Sequence, residues 1–440
     1  METKQIFEEK LRLFNWQLTF KVIAIGFITL ALLIPQFMIQ DLVRERENTA
    51  GEAKKEVTDK WSLNQTLRGP VLTIPFTEQI YDNEGKMVQE KINEYHCLPE
   101  TLNINGEISS KDLHRSIYQS VVYESAINLS GNFRMPDFEK LRINPADNIW
   151  EKARISVAIS DLRGITSLVD LNWNGQVIPF SPGMDNPLIG NNGISIAFSS
   201  LSMSDFPARF EIKLNLKGSD ELQFAPLGET TDVSIRSTWN DPGFTGNFLP
   251  AERNVSESGF DAHWKVLNFN RNFPQEWVND VYKPTIADFG VRLVLMADHY
   301  QKSMRSVKYG VLVILFMFLS FFLNEILTKQ KIHSFQYILV GFAILIFYLL
   351  LLSISEHLGF NIAYLISSVS VLVMVFSYSR SFLKTVKSSL LLSAILAFSL
   401  GFIFVLMQLE SFALLVGSIG LFCVLALTMY FTRKINWYND

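Results

Sequence analysis

The sequence is poor in the residues and motifs that carry most enzyme chemistry. It has only two cysteines and six histidines in 440 residues. It lacks the glycine-rich phosphate loop, the Gly-x-Gly-x-x-Gly dinucleotide pattern, the Gly-x-Ser-x-Gly nucleophile turn and the Cys-x-x-Cys pair. ATP-driven and Rossmann-type reactions therefore have no support. We predict a protein that is not an enzyme and has no cofactor.

Charge of one sign and metal-ligand spacing are also missing. A formal net charge of −4 is small for this length, so there is no electrostatic footprint for nucleic acid. His96 and Cys97 are the only adjacent His–Cys pair, and adjacent residues of a strand point to opposite faces. We predict no metal site. Because Cys423 lies in an apolar run, we also expect no disulfide with Cys97.

Long apolar runs, by contrast, are abundant. Hydrophobic residues make up 48% of the chain, and 35 residues are phenylalanine. Six runs of roughly 18 to 21 residues are each long enough to cross a bilayer: Val22–Ile39, Gly310–Leu327, Ser334–Ser353, Asn361–Tyr378, Ser388–Met407 and Phe412–Phe431. The first run is too long for a signal-peptide core, and no small-residue cleavage site follows it. We predict six transmembrane helices, with the first retained as an anchor.

The short loops indicate the orientation of these helices. Lysine and arginine occur after the second, fourth and sixth runs, at Lys329, Lys331, Arg380, Lys384, Lys387, Arg433 and Lys434. The other two short loops, around Glu356 and Glu410, have none. Because basic loops stay in the cytoplasm, both termini are predicted to be cytoplasmic. The predicted organisation is a cytoplasmic segment 1–21, transmembrane helix 22–39, extracytoplasmic domain 40–305, five-helix transmembrane bundle 306–432 and cytoplasmic tail 433–440.

The extracytoplasmic region shows two patterns. Asp41–Lys60 is dense in Glu, Lys and Arg, which predicts a helix that continues out of the bilayer. After Trp61, apolar residues occupy every second position, most clearly in Arg209–Lys217, which is the pattern of a half-buried strand. Shorter alternations are Leu102, Ile104 and Ile108; Ile155, Val157 and Ile159; Ile194, Ile196 and Phe198; and Val233 and Ile235. Predicted turns at Asp82–Gly85, Asn172–Gly175, Ser181–Gly183 and Asp241–Gly243 separate them. We predict a mainly β, antiparallel sandwich or barrel-like domain.

Few residues stand out as functional candidates. Trp239 and Phe244 belong to an aromatic, Pro- and Gly-rich segment that ends at Pro250, which is either a binding surface or a rigid connection filling its own core. In the apolar runs, Glu325 lies near the inner end of the second, and Glu356 and His357 lie at the outer end of the third. Ionisable groups in spans are functional candidates, although these lie near the interfaces. The fifth run places Ser389, Ser393, Ala397 and Gly401 on one face, which predicts close helix packing there.

Several segments together resemble a known family. They are Trp61 and Gln65, Gly69–Phe76, Leu98–Glu100, Arg115–Tyr118, Ser160–Ile165, Pro226–Gly228, Ser237–Trp239, Gly246–Pro250, Gly259–Trp264 and His333–Tyr364. The chain resembles the CreD family of bacterial inner-membrane proteins, described as cell envelope integrity proteins, over nearly its whole length. Ser116 stands where the family pattern has glycine. The resemblance implies a role in responses to envelope damage under two-component control, and it implies no catalytic residues.

Two hypotheses follow. The first is a non-enzymatic inner-membrane protein that supports cell envelope integrity and the envelope stress response. Its outer β-domain would bind an envelope component or a periplasmic or membrane partner protein, while the helices are held among membrane lipids. The alternative is a transporter or channel-like protein using the C-terminal five-helix bundle, although no row of charges crosses the midplane. A hydrolase would need a clustered nucleophile and base that the sequence does not show.

Overall fold

The computed structural model describes residues 16–81, 87–184, 189–279, 282, 287–293, 299–328, 330–383, 385–409 and 412–433. The predicted turn at Asp82–Gly85 and the loop residues Lys329, Lys384, Glu410 and Lys434 lie outside these ranges. The chain separates into two compact units. The β-sheet unit is Glu52–Met296, and the helical unit is formed by the remaining residues.

The first helix, α1 (Trp16–Trp61), is 46 residues long. Its first half is apolar, whereas its second half is rich in charged residues of good helix propensity. The predicted continuation of the helix through Asp41–Lys60 is therefore confirmed.

The C-terminal part of the chain is also helical. Its helices are α2 (His299–Lys308), α3 (Gly310–Thr328), α4 (Ser334–Leu358), α5 (Phe360–Phe382), α6 (Val386–Gln408) and α7 (Ala413–Thr432). Among the described residues, five helical stretches are long and apolar enough to cross a membrane: the one beginning at Thr19, His299–Ile326, and the helices α4, α5 and α6. Leu415–Tyr430 is a shorter apolar helix. The count of six spans and their orientation stay predictions.

The predicted packing face of α6 is wrong in the second half of the helix. Ala397 and Gly401 are exposed, and a Cβ atom on Gly401 would meet nothing within 4 Å. The buried stripe consists of larger residues instead: Leu392, Leu396, Leu400, Ile403 and Met407. Helix packing here is mediated by leucine side chains, so small residues at a four-residue spacing did not identify the contact face.

The β-sheet unit contains seventeen described strands in two sheets. The strands are β1 (Gln65–Tyr81), β2 (Met87–Cys97), β3 (Thr101–Arg115), β4 (Tyr118–Phe133), β5 (Arg154–Ile159), β6 (Asp170–Trp173), β7 (Gln176–Pro179), β8 (Ser181–Pro182), β9 (Gly193–Ala197), β10 (Ala208–Ser219), β11 (Glu221–Phe224), β12 (Thr230–Ser237), β13 (Pro242–Gly246), β14 (Glu252–Ser256), β15 (Gly259–Leu267), β16 (Glu276–Val278) and β17 (Phe289–Leu293). The eight-stranded sheet has the order β14-β15-β12-β3-β4-β10-β6-β7. The nine-stranded sheet has the order β13-β17-β11-β1-β5-β9-β8, with β2 beside β1 and β16 beside β2.

Alternating residues of both sheets meet in one hydrophobic core. In β10, Phe210, Ile212, Leu214 and Leu216 are buried while the residues between them are partly or fully exposed, as predicted. The buried residues of the two sheets form a single cluster. The sheets are not purely antiparallel, however, because β1 runs parallel to β11 and β3 runs parallel to β12. The alternation of apolar residues shows which face of a strand is buried. It does not show whether a neighbouring strand from a distant part of the sequence runs parallel or antiparallel to it.

Two of the predicted turns are edge strands. Pro182 lies in β8 and Pro242 begins β13, and both strands lie at the ends of the nine-stranded sheet. Proline lacks a backbone N–H, so it is tolerated in edge strands, which leave one row of N–H groups unpaired. The predicted turn at Asn172–Gly175 is confirmed. Asn174 and Gly175 have φ of 51° and 93° and connect β6 to β7.

Candidate functional site

The exposed face of the eight-stranded sheet carries rows of polar side chains. Asn105 of β3 lies opposite Asn128 of β4 and Ser234 of β12 in the register of the strands. Two residues further along, Arg236 lies opposite both Glu107 and Asp261. Because side chains alternate across a strand, the hydrophobic partners of these residues face the core and leave this face polar.

This polar face contains a groove of about 770 Å³. Its lining includes Glu107, Glu124, Lys217, Arg236, Asn254 and Asp261. A smaller depression of about 270 Å³ adjoins it and shares Glu107, Arg236 and Asp261. The groove is large enough for several sugar-sized or amino-acid-sized units. We call it the β3–β12 groove.

The chemistry of the groove is that of a recognition surface. The Nε atom of Arg236 lies 3.2 Å from Oδ2 of Asp261, and both side chains are exposed, so this pair is available to an incoming ligand. Amides, hydroxyls and charges of both signs line the groove together, which suits a ligand rich in hydrogen-bonding groups.

The segment that begins at Trp239 packs against its own unit. Phe244, in β13, makes edge-on ring contacts with Phe260 and Trp264 at centroid distances of 6.0 Å and 5.8 Å. The indole Nε1 of Trp239 donates to the backbone oxygen of Asp241 at 3.0 Å. Both aromatic side chains are half-buried. Their arrangement matches the alternative in which the segment fills its own core.

Two of the family-like segments meet at a hydrogen-bonded junction that sequence reasoning did not anticipate. The Nε2 atom of Gln65 donates to the backbone oxygens of Asp161 and Lys217 at 2.9 Å and 3.0 Å. The Asp161 carboxylate accepts from the hydroxyl of Ser62, the backbone N–H of Leu63 and the guanidinium of Arg163. Burial opposes ionisation of Asp161, but these donors outweigh it and lower its pKa to about 2.

The junction fixes the start of the β-sheet unit. Arg163 also donates to the backbone oxygen of Asp59 in α1, at 2.7 Å. A Cβ atom on Gly164 would come within 2.3 Å of both Gln65 Nε2 and the backbone oxygen of Lys217. The site therefore has room for glycine only, and its geometry indicates a structural role.

The His96–Cys97 neighbours are both buried on β2. The Nδ1 atom of His96 lies 3.0 Å from the hydroxyl of Thr73, and its ring packs against Trp277. Burial, with Arg154 nearby, lowers the pKa of His96 to about 3, so the imidazole is neutral. The thiol of Cys97 contacts the backbone oxygen of Leu98. No group of three or more His, Cys, Asp or Glu residues that could hold a metal occurs among the described residues.

In the helical unit, Glu325 forms an ion pair that the sequence did not reveal. Its carboxylate contacts the ammonium group of Lys21 in α1, and both side chains are mostly buried. The Nζ atom of Lys21 also donates to the backbone oxygen of Ile332 at 2.7 Å, and it lies 5.9 Å from the ring centre of Tyr337. These contacts connect α1 to α3, to α4 and to the loop between them.

Glu356 and His357 differ in their surroundings although they are neighbours near the end of α4. The hydroxyl of Tyr300 in α2 donates to Oε1 of Glu356 at 3.0 Å. The Glu356 side chain is half-buried, whereas His357 is exposed. Glu325, by contrast, lies in α3 and contacts Lys21.

Comparisons with known proteins identify the family. A sequence model of the family described as Inner membrane protein CreD matches residues 17–438. The Inner membrane protein CreD of Escherichia coli (strain K12) is 34% identical over 414 residues, which cover 93% of this chain and 91% of that protein. A solved M1 zinc metallopeptidase from Deinococcus radiodurans matches 69% of this chain and 92% of its own at 9% identity, with a TM-score of 0.21 that is too low to carry an argument. The resemblance seen in the sequence is thus confirmed, and the chain belongs to the CreD family of inner membrane proteins.

Proposed function

We propose that this protein supports the integrity of the cell envelope and the response to envelope stress without catalysing a reaction. In this proposal the β-sheet unit is extracytoplasmic and binds an envelope component or a partner protein, while the apolar helices hold it in the inner membrane. Membership of the CreD family supports the location in the inner membrane. Envelope support is what the resemblance to the CreD family implies, and partner binding is our inference from the surface of the β-sheet unit.

The single observation that carries the binding role is the β3–β12 groove. The groove has a volume of about 770 Å³ and is lined by charged, amide and hydroxyl side chains as well as apolar ones. Arg236 and Asp261 pair across two strands while remaining exposed, so a ligand could replace either partner without disturbing the core. The mixture of amides, hydroxyls and charges favours a polymer with hydrogen-bonding groups, such as a glycan or peptide of the envelope.

The predicted topology supports the same proposal. Six transmembrane helices with basic short loops in the cytoplasm would place both termini inside and residues 40–305 outside. The β-sheet unit would then be the largest part of the chain on the outer side of the membrane. A binding role in the envelope would accordingly belong to that unit.

In-cell photocrosslinking tests this function. The photoreactive amino acid p-benzoylphenylalanine is placed at Ser109 or Thr238, two exposed lining residues of the groove, in the full-length protein. We expect ultraviolet light to produce a discrete adduct with an envelope polymer or an envelope protein. The matched control is Phe269, which is 91% exposed and does not line the groove.

The expected pattern is adducts from Ser109 and Thr238 with little or none from Phe269. Equal adduct formation at all three positions would indicate unspecific contact. No adduct at either groove position, with normal expression and normal envelope resistance to detergent, would contradict the proposed binding surface.

A further inference from the structure

The second helical stretch that is long and apolar enough to cross a membrane is interrupted. α2 ends at Lys308 and α3 begins at Gly310, so Tyr309 lies in a break within the apolar stretch His299–Ile326. The last carbonyl groups of a helix have no partner within that helix. In a bilayer, such groups need partners from neighbouring helices, from side chains or from ordered water.

Gln36 of α1 provides one such partner. Its Nε2 atom donates to the backbone oxygen of Val307 at 2.9 Å, and the Gln36 side chain is only 2% exposed. A glutamine amide in an apolar helix is costly unless its hydrogen bonds are formed. Gln36 therefore connects α1 to the break between α2 and α3.

Tyr348 of α4 reaches the same point. A Cβ atom built on Gly310 would lie 2.9 Å from the ring of Tyr348 and 3.3 Å from Nε2 of Gln36. The glycine at the start of α3 thus allows both side chains to approach the break closely. Tyr348 is fully buried.

Two buried polar atoms beside the break have no hydrogen-bond partner among the described residues. They are Oε1 of Gln36 and the hydroxyl oxygen of Tyr348. A buried polar atom left without a partner is destabilising. One is an acceptor and the other is a hydroxyl that can donate, so they have complementary needs.

We propose that the break between α2 and α3 is a binding site for ordered water, held by Gln36 and Tyr348. A water molecule there donates to Oε1 of Gln36 and accepts from the hydroxyl of Tyr348. Neither side chain is charged, so a small neutral donor and acceptor fits the site better than an ion. This inference goes beyond the envelope-binding role, because it places a water molecule inside the helical unit. That water lies where α1 and α4 contact the break between α2 and α3.

X-ray radiolytic labelling with mass spectrometry tests the water site in the full-length protein in lipid nanodiscs. Hydroxyl radicals formed from bound water oxidise the side chains beside that water, including buried ones. The matched reference is Tyr123 of β4, which is equally buried and donates its hydroxyl to the backbone oxygen of Glu221 at 2.8 Å. We expect Tyr348 to be oxidised several-fold faster than Tyr123. Equal, slow oxidation of both tyrosines would overturn the proposal.

A substitution locates the water. Gln36→Leu removes the acceptor that the water needs, so oxidation of Tyr348 should fall toward the rate of Tyr123. If the folded Gln36→Leu protein keeps the fast oxidation of Tyr348, the water is not held by Gln36 and the proposed site is wrong. If Gln36→Leu does not fold, the comparison of Tyr348 with Tyr123 in the unchanged protein still decides the proposal.

Discussion

The hydroxyl of Tyr300 donates a hydrogen bond to the Glu356 carboxylate at 3.0 Å and so joins the start of α2 to the end of α4. In the transporter alternative Glu356 would transfer protons, whereas in the envelope-binding hypothesis it would give structural support. The contact with Tyr300 gives the structural alternative a specific partner. The two alternatives differ in what they predict for an uncharged glutamine at this position.

Glu356→Gln should keep near-normal envelope resistance to detergent, because the amide oxygen can still accept from Tyr300. Glu356→Ala removes the acceptor and should lower the amount of folded protein, since a hydrogen bond to a charged group contributes about 1.5–3 kcal/mol. The measurements are immunoblots of membrane fractions and survival in detergent. Tyr300→Phe is the matched control and should resemble Glu356→Ala in a milder form. A fully expressed Glu356→Gln protein that behaves like a deletion strain would favour the transporter.

The Lys21–Glu325 pair gives a second prediction. Lys21→Met or Glu325→Gln alone leaves a mostly buried charge without its counter-charge and should destabilise the helical unit by up to about 3 kcal/mol. The double change Lys21→Met with Glu325→Gln removes both charges and should cost clearly less than the sum of the two single changes. Thermal midpoints of the detergent-solubilised proteins check this. Additive effects of the two changes would show that the ion pair contributes no coupling energy.

The buried His96 predicts a pH dependence of stability. Burial lowers its pKa to about 3, from an ordinary value of 6.5, so the unfolded chain takes up the proton before the folded chain does. The stabilisation is fully present above pH 6.5 and is lost progressively as the pH falls toward 3, by up to about 1.4 kcal/mol per pH unit.

Removing the titrating group should reduce this dependence. His96→Gln should flatten the decrease of the thermal midpoint between pH 7 and about pH 5, because glutamine takes up no proton in that range. Identical pH profiles for the unchanged protein and His96→Gln would contradict the assignment.

Ser116, which stands where the family pattern has glycine, gives a fourth prediction. It lies in the turn between β3 and β4 with φ of 56°, a left-handed conformation that costs a non-glycine residue about 1 kcal/mol. Ser116→Gly should therefore raise the thermal midpoint. Ser109→Gly, within β3, should lower it, because glycine weakens the interior of a strand. A lower midpoint for Ser116→Gly would show that the turn is not strained by serine.

Parts of this structure could be predicted from the sequence because their signals are local. The alternation of β10 and the charged continuation of α1 are properties of neighbouring residues, and both are confirmed. The pairing of Lys21 with Glu325 joins residues 304 positions apart, and no local pattern specifies it. Pro242 indicated a turn because proline disrupts a central strand, but β13 is an edge strand, and its place in the sheet depends on long-range pairing with β17.

The candidate site was harder to predict than the fold. The β3–β12 groove arises from the register of β3, β4, β12 and β15, so its residues are far apart in the chain. Along any one of these strands, the exposed polar residues have the pattern of an ordinary solvated face. Trp239 and Phe244 stood out in the sequence through their aromatic density, and the structure packs them within their own unit.

The proposed function requires that the β-sheet unit lie on the outer side of the inner membrane. Cysteine labelling measures on which side it lies. Single cysteines are introduced as Phe269→Cys and Lys331→Cys, both at exposed positions, in a background carrying Cys97→Ala and Cys423→Ala. A membrane-impermeant maleimide should label Phe269→Cys in intact spheroplasts and should label Lys331→Cys only after the membrane is disrupted. Labelling of Lys331→Cys in intact spheroplasts, with Phe269→Cys protected until disruption, would place the β-sheet unit in the cytoplasm and contradict the account.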